Sequence, residues 1–129
     1  MTRFVLDTTS LIDFTKDLEP QRSRIWALLG AGNELVLCSV TVAELYAGFS
    51  ADQIEQWETV SRYFRYRHVS LDAAKAAGRD RYRFARQGLT IATTDALVAA
   101  IARELGAILV TDNLRHFPMA DIQTLSLRG

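Results

Sequence analysis

Three short runs in this chain are apolar without interruption: Phe4-Val5-Leu6, Leu35-Val36-Leu37-Cys38 and Ala107-Ile108-Leu109-Val110. A strand with one wet face alternates apolar and polar residues. An unbroken run of this length fits a strand buried on both faces, as in a parallel sheet. The segments between them carry helical spacing. One helix follows Asp7 with Leu11, Ile12 and Phe14 apolar. A second covers Gln21 to Leu29 and stops at Gly30-Ala31-Gly32-Asn33. Helices are further expected from Thr41 through Tyr46, from Asp52 to Phe64, from Asp72 to Ala85 and from Thr94 to Leu105, where Gly106 ends the last one. Arg67-His68-Val69 reads as a short strand and Gln123 to Leu127 as an edge strand. Strands separated by helices predict an α/β fold with a central, mainly parallel β-sheet covered on both faces, here as one domain over residues 1–129.

At 49% hydrophobic residues the chain is globular in composition, and its single cysteine, Cys38, reads as a buried small hydrophobe. No Cys/His cluster supports a zinc site. The opening residues lack a signal-peptide pattern and no apolar run approaches a membrane span, so a soluble, cytoplasmic protein is expected. Lys+Arg and Asp+Glu are 15 each, so total charge says nothing about partners. Its distribution does. From Arg62 to Arg86 eight basic residues face only Asp72 and Asp80, a local excess of six, whereas Ile25 to Ser61 holds five acids and no Lys or Arg. Such a segment attracts polyanions locally. Within it Arg79, Arg83 and Arg86 are spaced i, i+4, i+7, which a helix gathers on one face. They are candidates for RNA phosphate contacts, or else a solvated basic face. Tyr82 and Phe84 either stack on bases or pack inward.

In a parallel sheet, ligands bind beyond the carboxyl ends of the strands. Asp7 follows the first strand directly, and Asp112 follows the strand ending at Val110. Glu44 lies early in the helix after the second strand. Asp95 opens the helix that runs back along the sheet into Ala107–Val110. Chain direction alone therefore brings Asp7, Glu44, Asp95 and Asp112 to one rim. Each has a bland alternative: Asp7 as an N-cap, Glu44 in a Thr41-x-x-Glu44 capping box, Asp95 at a helix N-terminus, Asp112 in an Asp-Asn turn. Together they form a carboxylate cluster that cations would neutralise, and all-oxygen ligands suit Mg²⁺ or Mn²⁺. Such ions orient phosphodiesters and activate water.

These stretches resemble the PIN-domain nucleases, particularly the VapC-type toxins of bacterial type II toxin–antitoxin pairs. The likeness runs through three blocks in order: FVLDTTSLIDF, LVLCSVTVAELYAGF and IATTDALVAAIARELGAILVTDNLRHF. It implies a PIN-like α/β/α sandwich, Mg²⁺- or Mn²⁺-dependent endoribonuclease activity leaving 5′-phosphate and 3′-hydroxyl ends, a homodimer and a cognate antitoxin. It makes Asp7 and Asp95 metal ligands, adds Glu44 to the acidic set, and puts Thr9 in a hydroxyl position. Family members often read T-x-D or T-x-N after the last core strand. Thr111-Asp112-Asn113 places Asn113 in that slot, and the expectation is that Asp112 supplies the charge while Thr111 and Asn113 support it. Trp26, Trp57, Tyr46 and Phe49 are expected to be core, with any exposed subset forming a dimer face or an antitoxin groove. His68 and His116 read as isolated loop or strand-end residues.

Other readings fit less well. A phosphoacceptor signalling domain needs a lysine after the last strand, and the only lysines are Lys16 and Lys75. A phosphatase with an aspartate nucleophile would show D-x-D where Asp7-Thr8-Thr9 stands. A PIN-like module that binds RNA or protein without cutting is the remaining alternative.

Overall fold

The computed structural model describes residues 1–128, leaving Gly129, the last residue of the expected domain, outside the described residues. Five strands, β1 (Arg3–Leu6), β2 (Glu34–Cys38), β3 (Arg65–Arg67), β4 (Ile108–Val110) and β5 (Thr124–Leu125), pair in the order β3-β2-β1-β4-β5. Every pairing is parallel. Among the described residues six helices accompany them: α1 (Thr8–Thr15), α2 (Gln21–Gly30), α3 (Ser39–Ala47), α4 (Ala51–Ser61), α5 (Leu71–Ala85) and α6 (Thr93–Leu105), with a 3-10 turn at Leu114–His116.

The unbroken apolar strands are explained by a core on each face of the sheet. Phe4, Leu6, Leu35, Leu37 and Val110 pack against Leu11, Phe14, Ile25, Leu45 and Trp57 of α1 to α4. The alternate residues Val5, Val36, Cys38 and Leu109 pack against α5, α6, Phe117 and Met119. Alanines let α6 lie close to the sheet: Ala96, Ala99, Ala100 and Ala102 are all buried. The helix ends at Gly106, whose φ of +61 is a left-handed conformation that glycine adopts without steric cost.

Four elements begin or end two or more residues from their sequence-based positions; one is β5, which covers only Thr124–Leu125 of the expected 123–127. β3 is Arg65–Arg67, not 67–69, because it is an exposed edge strand held by backbone pairing to Val36, Leu37 and Cys38 and needs no apolar side chains. α3 begins at Ser39, directly after β2, so Thr41 is an interior, fully buried residue and forms no capping box with Glu44. The capping box of this region is instead Ser50 with Gln53, at the start of α4. α4 stops at Ser61, and Phe64 packs into the core from the turn that follows. Among the described residues no helix is long and apolar enough to cross a membrane.

Candidate active site

The carboxyl ends of β1 and β4 are joined where Asp7 N–H donates to Val110 O at 2.9 Å. Asp7 leaves β1 as the N-cap of α1, in extended conformation, and its Oδ1 accepts from Thr8 N at 2.8 Å. Its Oδ2 accepts from Thr111 Oγ1 at 2.9 Å. Both carboxylate oxygens are thus fixed on a residue that is 6% exposed. The capping role and a ligand role are therefore compatible in one side chain.

α3 then delivers Glu44. Because the helix starts at Ser39, Glu44 sits in its second turn rather than its first, on an exposed face. Its Oε1 accepts from Thr8 Oγ1 at 2.6 Å, a short bond of the kind carboxylates make. α6 delivers Asp95 in its first turn, where the helix dipole favours negative charge. Asn113 reaches in from the turn after β4, its Nδ2 donating to Thr9 Oγ1 at 3.2 Å.

Asp7, Thr9, Glu44, Asp95 and Asn113 line one open cleft of about 510 Å³, together with Thr8, Ile12, Ala47 and His116. The electrostatics record their crowding. Burial raises the Asp7 carboxyl above its ordinary value, and Glu44 adds to this; donors from Thr111 and Thr8 and the charge of His116 only partly oppose it. Asp95 is raised by burial first and then by the charge of Asp7, with a further push from Glu44 and relief from His116. Among the described residues no three His, Cys, Asp or Glu side chains close into a ready-made cage. The acids form an open rim, not an enclosed pocket.

Asp112 does not join them. Its carboxylate turns to the opposite side of the chain, accepting at Oδ1 from Ser126 Oγ (2.9 Å) and Leu127 N (3.0 Å) and at Oδ2 from Gln21 Nε2 (3.2 Å). The expectation of a fourth carboxylate in the cleft is corrected accordingly. Thr111 and Asn113 face the site, and the chain bends at Asp112 between them, with the Asn113 N–H closing on Thr111 Oγ1, so that the Asp112 carboxylate lies among its own donors instead.

The reverse holds for His116. The 3-10 turn at Leu114–His116 returns its ring to the cleft, with Nδ1 3.5 Å from Asp95 Oδ2. No spacing rule gives this placement. Arg79, Arg83 and Arg86 do not line the cleft. Arg83 is paired with the buried Asp80 at 3.1 Å, and Arg86 lies over the exposed Tyr82 ring at 5.4 Å. Phe84 packs in the core. Of the four aromatic residues noted in the sequence, Trp57 is buried between Phe49 and Phe64, Tyr46 donates to Glu58, and Trp26 is 36% exposed against Phe14 and Tyr63.

Comparison with known proteins bears on this geometry. The PIN domain signature matches residues 4–122. Over 118 residues the chain is 33% identical to Ribonuclease VapC19 of Mycobacterium tuberculosis, covering 89% of this chain and 92% of that protein. Over 122 residues it is 36% identical to the tRNA(fMet)-specific endonuclease VapC of Shigella flexneri, covering 91% of each. Among solved structures, DNA-bound VapBC from Salmonella typhimurium superposes with a TM-score of 0.84 at 26% identity, over 98% of this chain and 99% of that one. VapBC2 of Rickettsia felis, bound to a promoter DNA fragment, gives 0.85 at 20% identity over 97% and 98%, a likeness of fold alone.

Proposed function

The chain belongs to the PIN-domain family, alongside the VapC ribonucleases, and from that premise we propose that it is the RNA-cleaving toxin of a type II toxin–antitoxin pair, with Asp7, Glu44 and Asp95 as its functional acids. The observation that carries the proposal is the gathering of these three acids, from β1, α3 and α6, with Asn113 in one open cleft. The donor set fits a hard divalent ion, Mg²⁺ or Mn²⁺: carboxylates, a carboxamide and hydroxyls. Mg²⁺ commonly keeps several waters and takes only one or two carboxylates, so an open rim serves where a closed cage would not. When bound, the ion supplies a Lewis acid for the phosphodiester and a means of activating water.

The chain's own residues prepare that chemistry. Asp7 and Asp95 would hold the ion; burial raises both carboxyls, Glu44 adds to the rise of Asp7, Asp7 and Glu44 add to that of Asp95, and a cation would relieve this crowding. Thr111 and Thr8 fix the orientation of Asp7, and Thr8 ties Glu44 to the same helix terminus. Thr9 holds the Asn113 amide so that its carbonyl oxygen is available to the cleft. Arg79, Arg83 and Arg86 contact RNA phosphates outside the cleft. Replacing all three with alanine is expected to flatten the salt dependence of RNA binding, by about 0.7 in slope for each lost phosphate contact to single-stranded RNA. An unchanged slope assigns them to the solvated face of α5.

The cavity of about 190 Å³ bordered by Phe14, Trp26, Trp57 and Val60 on α1, α2 and α4 accepts apolar side chains of an antitoxin helix. A homodimer of the whole 1–129 domain is tested by light scattering.

The deciding experiment is cleavage of a tRNA panel, initiator tRNA included, by wild type and Asp7→Asn with Mg²⁺, Mn²⁺ or EDTA. Cutting that needs the metal, leaves 5′-phosphate ends and falls at least about a hundredfold in the variant is expected, since a lost ion contact removes several kcal/mol of charge stabilisation. Cutting that persists in EDTA or leaves 2′,3′-cyclic phosphates refutes the proposal. An inert wild type that still binds RNA points to the non-cutting module.

A further inference from the structure

The Asp112 side chain is 2% exposed, and every partner it has lies away from the cleft. Besides the donors from Ser126, Leu127 and Gln21, Arg128 N donates to its Oδ1 at 3.3 Å and Arg128 Nε lies 3.6 Å from its Oδ2. Burial alone would raise this carboxyl; the donors from Gln21, Ser126, Leu127 and Arg128 outweigh it and hold the group below its ordinary value. The donors are themselves anchored. Gln21 is buried at the first residue of α2, Arg24 one turn on donates to Leu127 O, and Arg128 Nη2 meets Asp13 Oδ2 of α1 at 3.3 Å. A single carboxylate thus joins α2 and the 126–128 segment to the turn after β4, and Arg128 extends the connection to α1.

That turn carries two groups of the site. Asn113 N donates to Thr111 Oγ1 at 3.0 Å, so this hydroxyl is already an acceptor there and directs its proton to Asp7. Asn113 itself reaches Thr9. Thr111 and Asn113 flank Asp112 in sequence, and the backbone that orients them is the backbone Asp112 fixes.

We propose that Asp112 is a positioning residue of the ribonuclease site: by locking residues 111–113 against α2 and the 126–128 segment, it holds the Thr111 hydroxyl on Asp7 and the Asn113 side chain in the cleft. The inference rests on the reading of Asp7 as a metal-holding carboxylate. Partners that orient a ligand from behind typically govern about 10–100-fold in metal affinity or activity.

The test measures Mn²⁺ affinity by calorimetry, and kcat and KM on a cleavable RNA, for wild type, Asp112→Ala, Asp112→Asn, Ser126→Ala and Asp7→Asn. Asp112→Ala is expected to weaken Mn²⁺ binding about 10–100-fold and to lower kcat while leaving KM for RNA unchanged. Asp112→Asn keeps an acceptor oxygen for Ser126, Leu127 and Arg128, and with the Gln21 amide turned over to accept from the new NH2 it should stay within about threefold of wild type. Ser126→Ala, remote from the cleft, should move both quantities in the same direction by a smaller factor. A folded Asp112→Ala protein with wild-type Mn²⁺ affinity overturns the proposal and leaves the clamp a stabilising contact only. Asp112→Asn as impaired as Asp7→Asn also overturns it, making Asp112 a ligand. Should Asp112→Ala fail to fold, wild-type affinity and kcat in Ser126→Ala overturn it. Full activity and affinity in Asp7→Asn would instead sink the site reading beneath it, an outcome separate from normal behaviour of the Asp112 variants alone.

Discussion

Thr111→Val isolates how Asp7 is held. Thr111 is fully buried, and its hydroxyl makes two bonds, donating to Asp7 Oδ2 at 2.9 Å and accepting from Asn113 N at 3.0 Å. Valine keeps the shape of threonine and removes both. A hydrogen bond to a charged group contributes about 1.5–3 kcal/mol, whereas the half-buried Asn113 N–H recovers part of its loss from water. A net cost of about 2–3 kcal/mol lowers Tm by roughly 7–11 °C in a chain of this size. The functional consequence follows from proton affinity. Burial is the main cause lifting the Asp7 carboxyl, and the Thr111 hydroxyl is the strongest influence opposing it. Without that donor Asp7 keeps its proton to higher pH. A divalent cation must displace that proton, so Mn²⁺ binding weakens and its pH midpoint moves upward. Thr111→Ser retains the hydroxyl and should bind close to wild type. Calorimetric Mn²⁺ titrations across a pH series on all three proteins check this. A folded Thr111→Val with wild-type affinity and midpoint refutes the reasoning. So does a Thr111→Ser as impaired as the valine variant, because the methyl group would then be what matters.

Three further outcomes are expected. Asp7 is raised from the ordinary value of 3.8 in the folded state, so the metal-free protein loses stability as pH rises through that raised value; metal-free Asp7→Asn should therefore melt a few degrees above metal-free wild type at neutral pH and lose the advantage near about pH 4. Arg103 meets the buried Asp80 at 2.9 Å and Asp121 at 2.6 Å, whereas Arg83, the other cation on Asp80, is mostly exposed; urea titration should show Arg103→Ala costing about 2–4 kcal/mol, because one cation remains, and Arg83→Ala about 1 kcal/mol or less. The Ser10 hydroxyl is fully buried and without a partner among the described residues, so Ser10→Ala should be neutral or stabilise by up to about 1 kcal/mol, and a clear loss by the same titration would reveal a missed partner.

The fold was readable wherever burial wrote itself into side chains. β1, β2 and β4 are apolar because both of their faces are covered, and α6 announces itself by alanines and by Gly106. β3 was displaced by two residues because an edge strand is defined by backbone pairing: Arg65-Tyr66-Arg67 carries no apolar signal, and Val69 drew the expectation forward. The start of α3 was misplaced for a different reason. Thr41-Val42-Ala43-Glu44 satisfies the residue pattern of a capping box, but the chain turns into helix at once after β2, and Thr41 packs inside with its hydroxyl 3.6 Å from Cys38 Sγ.

The site separates in the same way into what chain direction decides and what local geometry decides. That strands end and crossover helices begin at one rim is a property of any parallel sheet, and it suffices to bring Asp7, Glu44 and Asp95 together from positions far apart in sequence. Which neighbour of a rim residue faces the cleft is a finer matter, set by single dihedral angles. Asp112 has the charge that a metal site wants and Asn113 does not, yet residue type does not decide here: the chain bends at Asp112, and its carboxylate lies where Gln21, Ser126 and Leu127 supply donors. Charge selects candidates, and the local bend of the chain chooses among them. His116 obeys neither rule, because it closes a 3-10 turn after β4 that resets the direction of the chain and brings its ring back to Asp95.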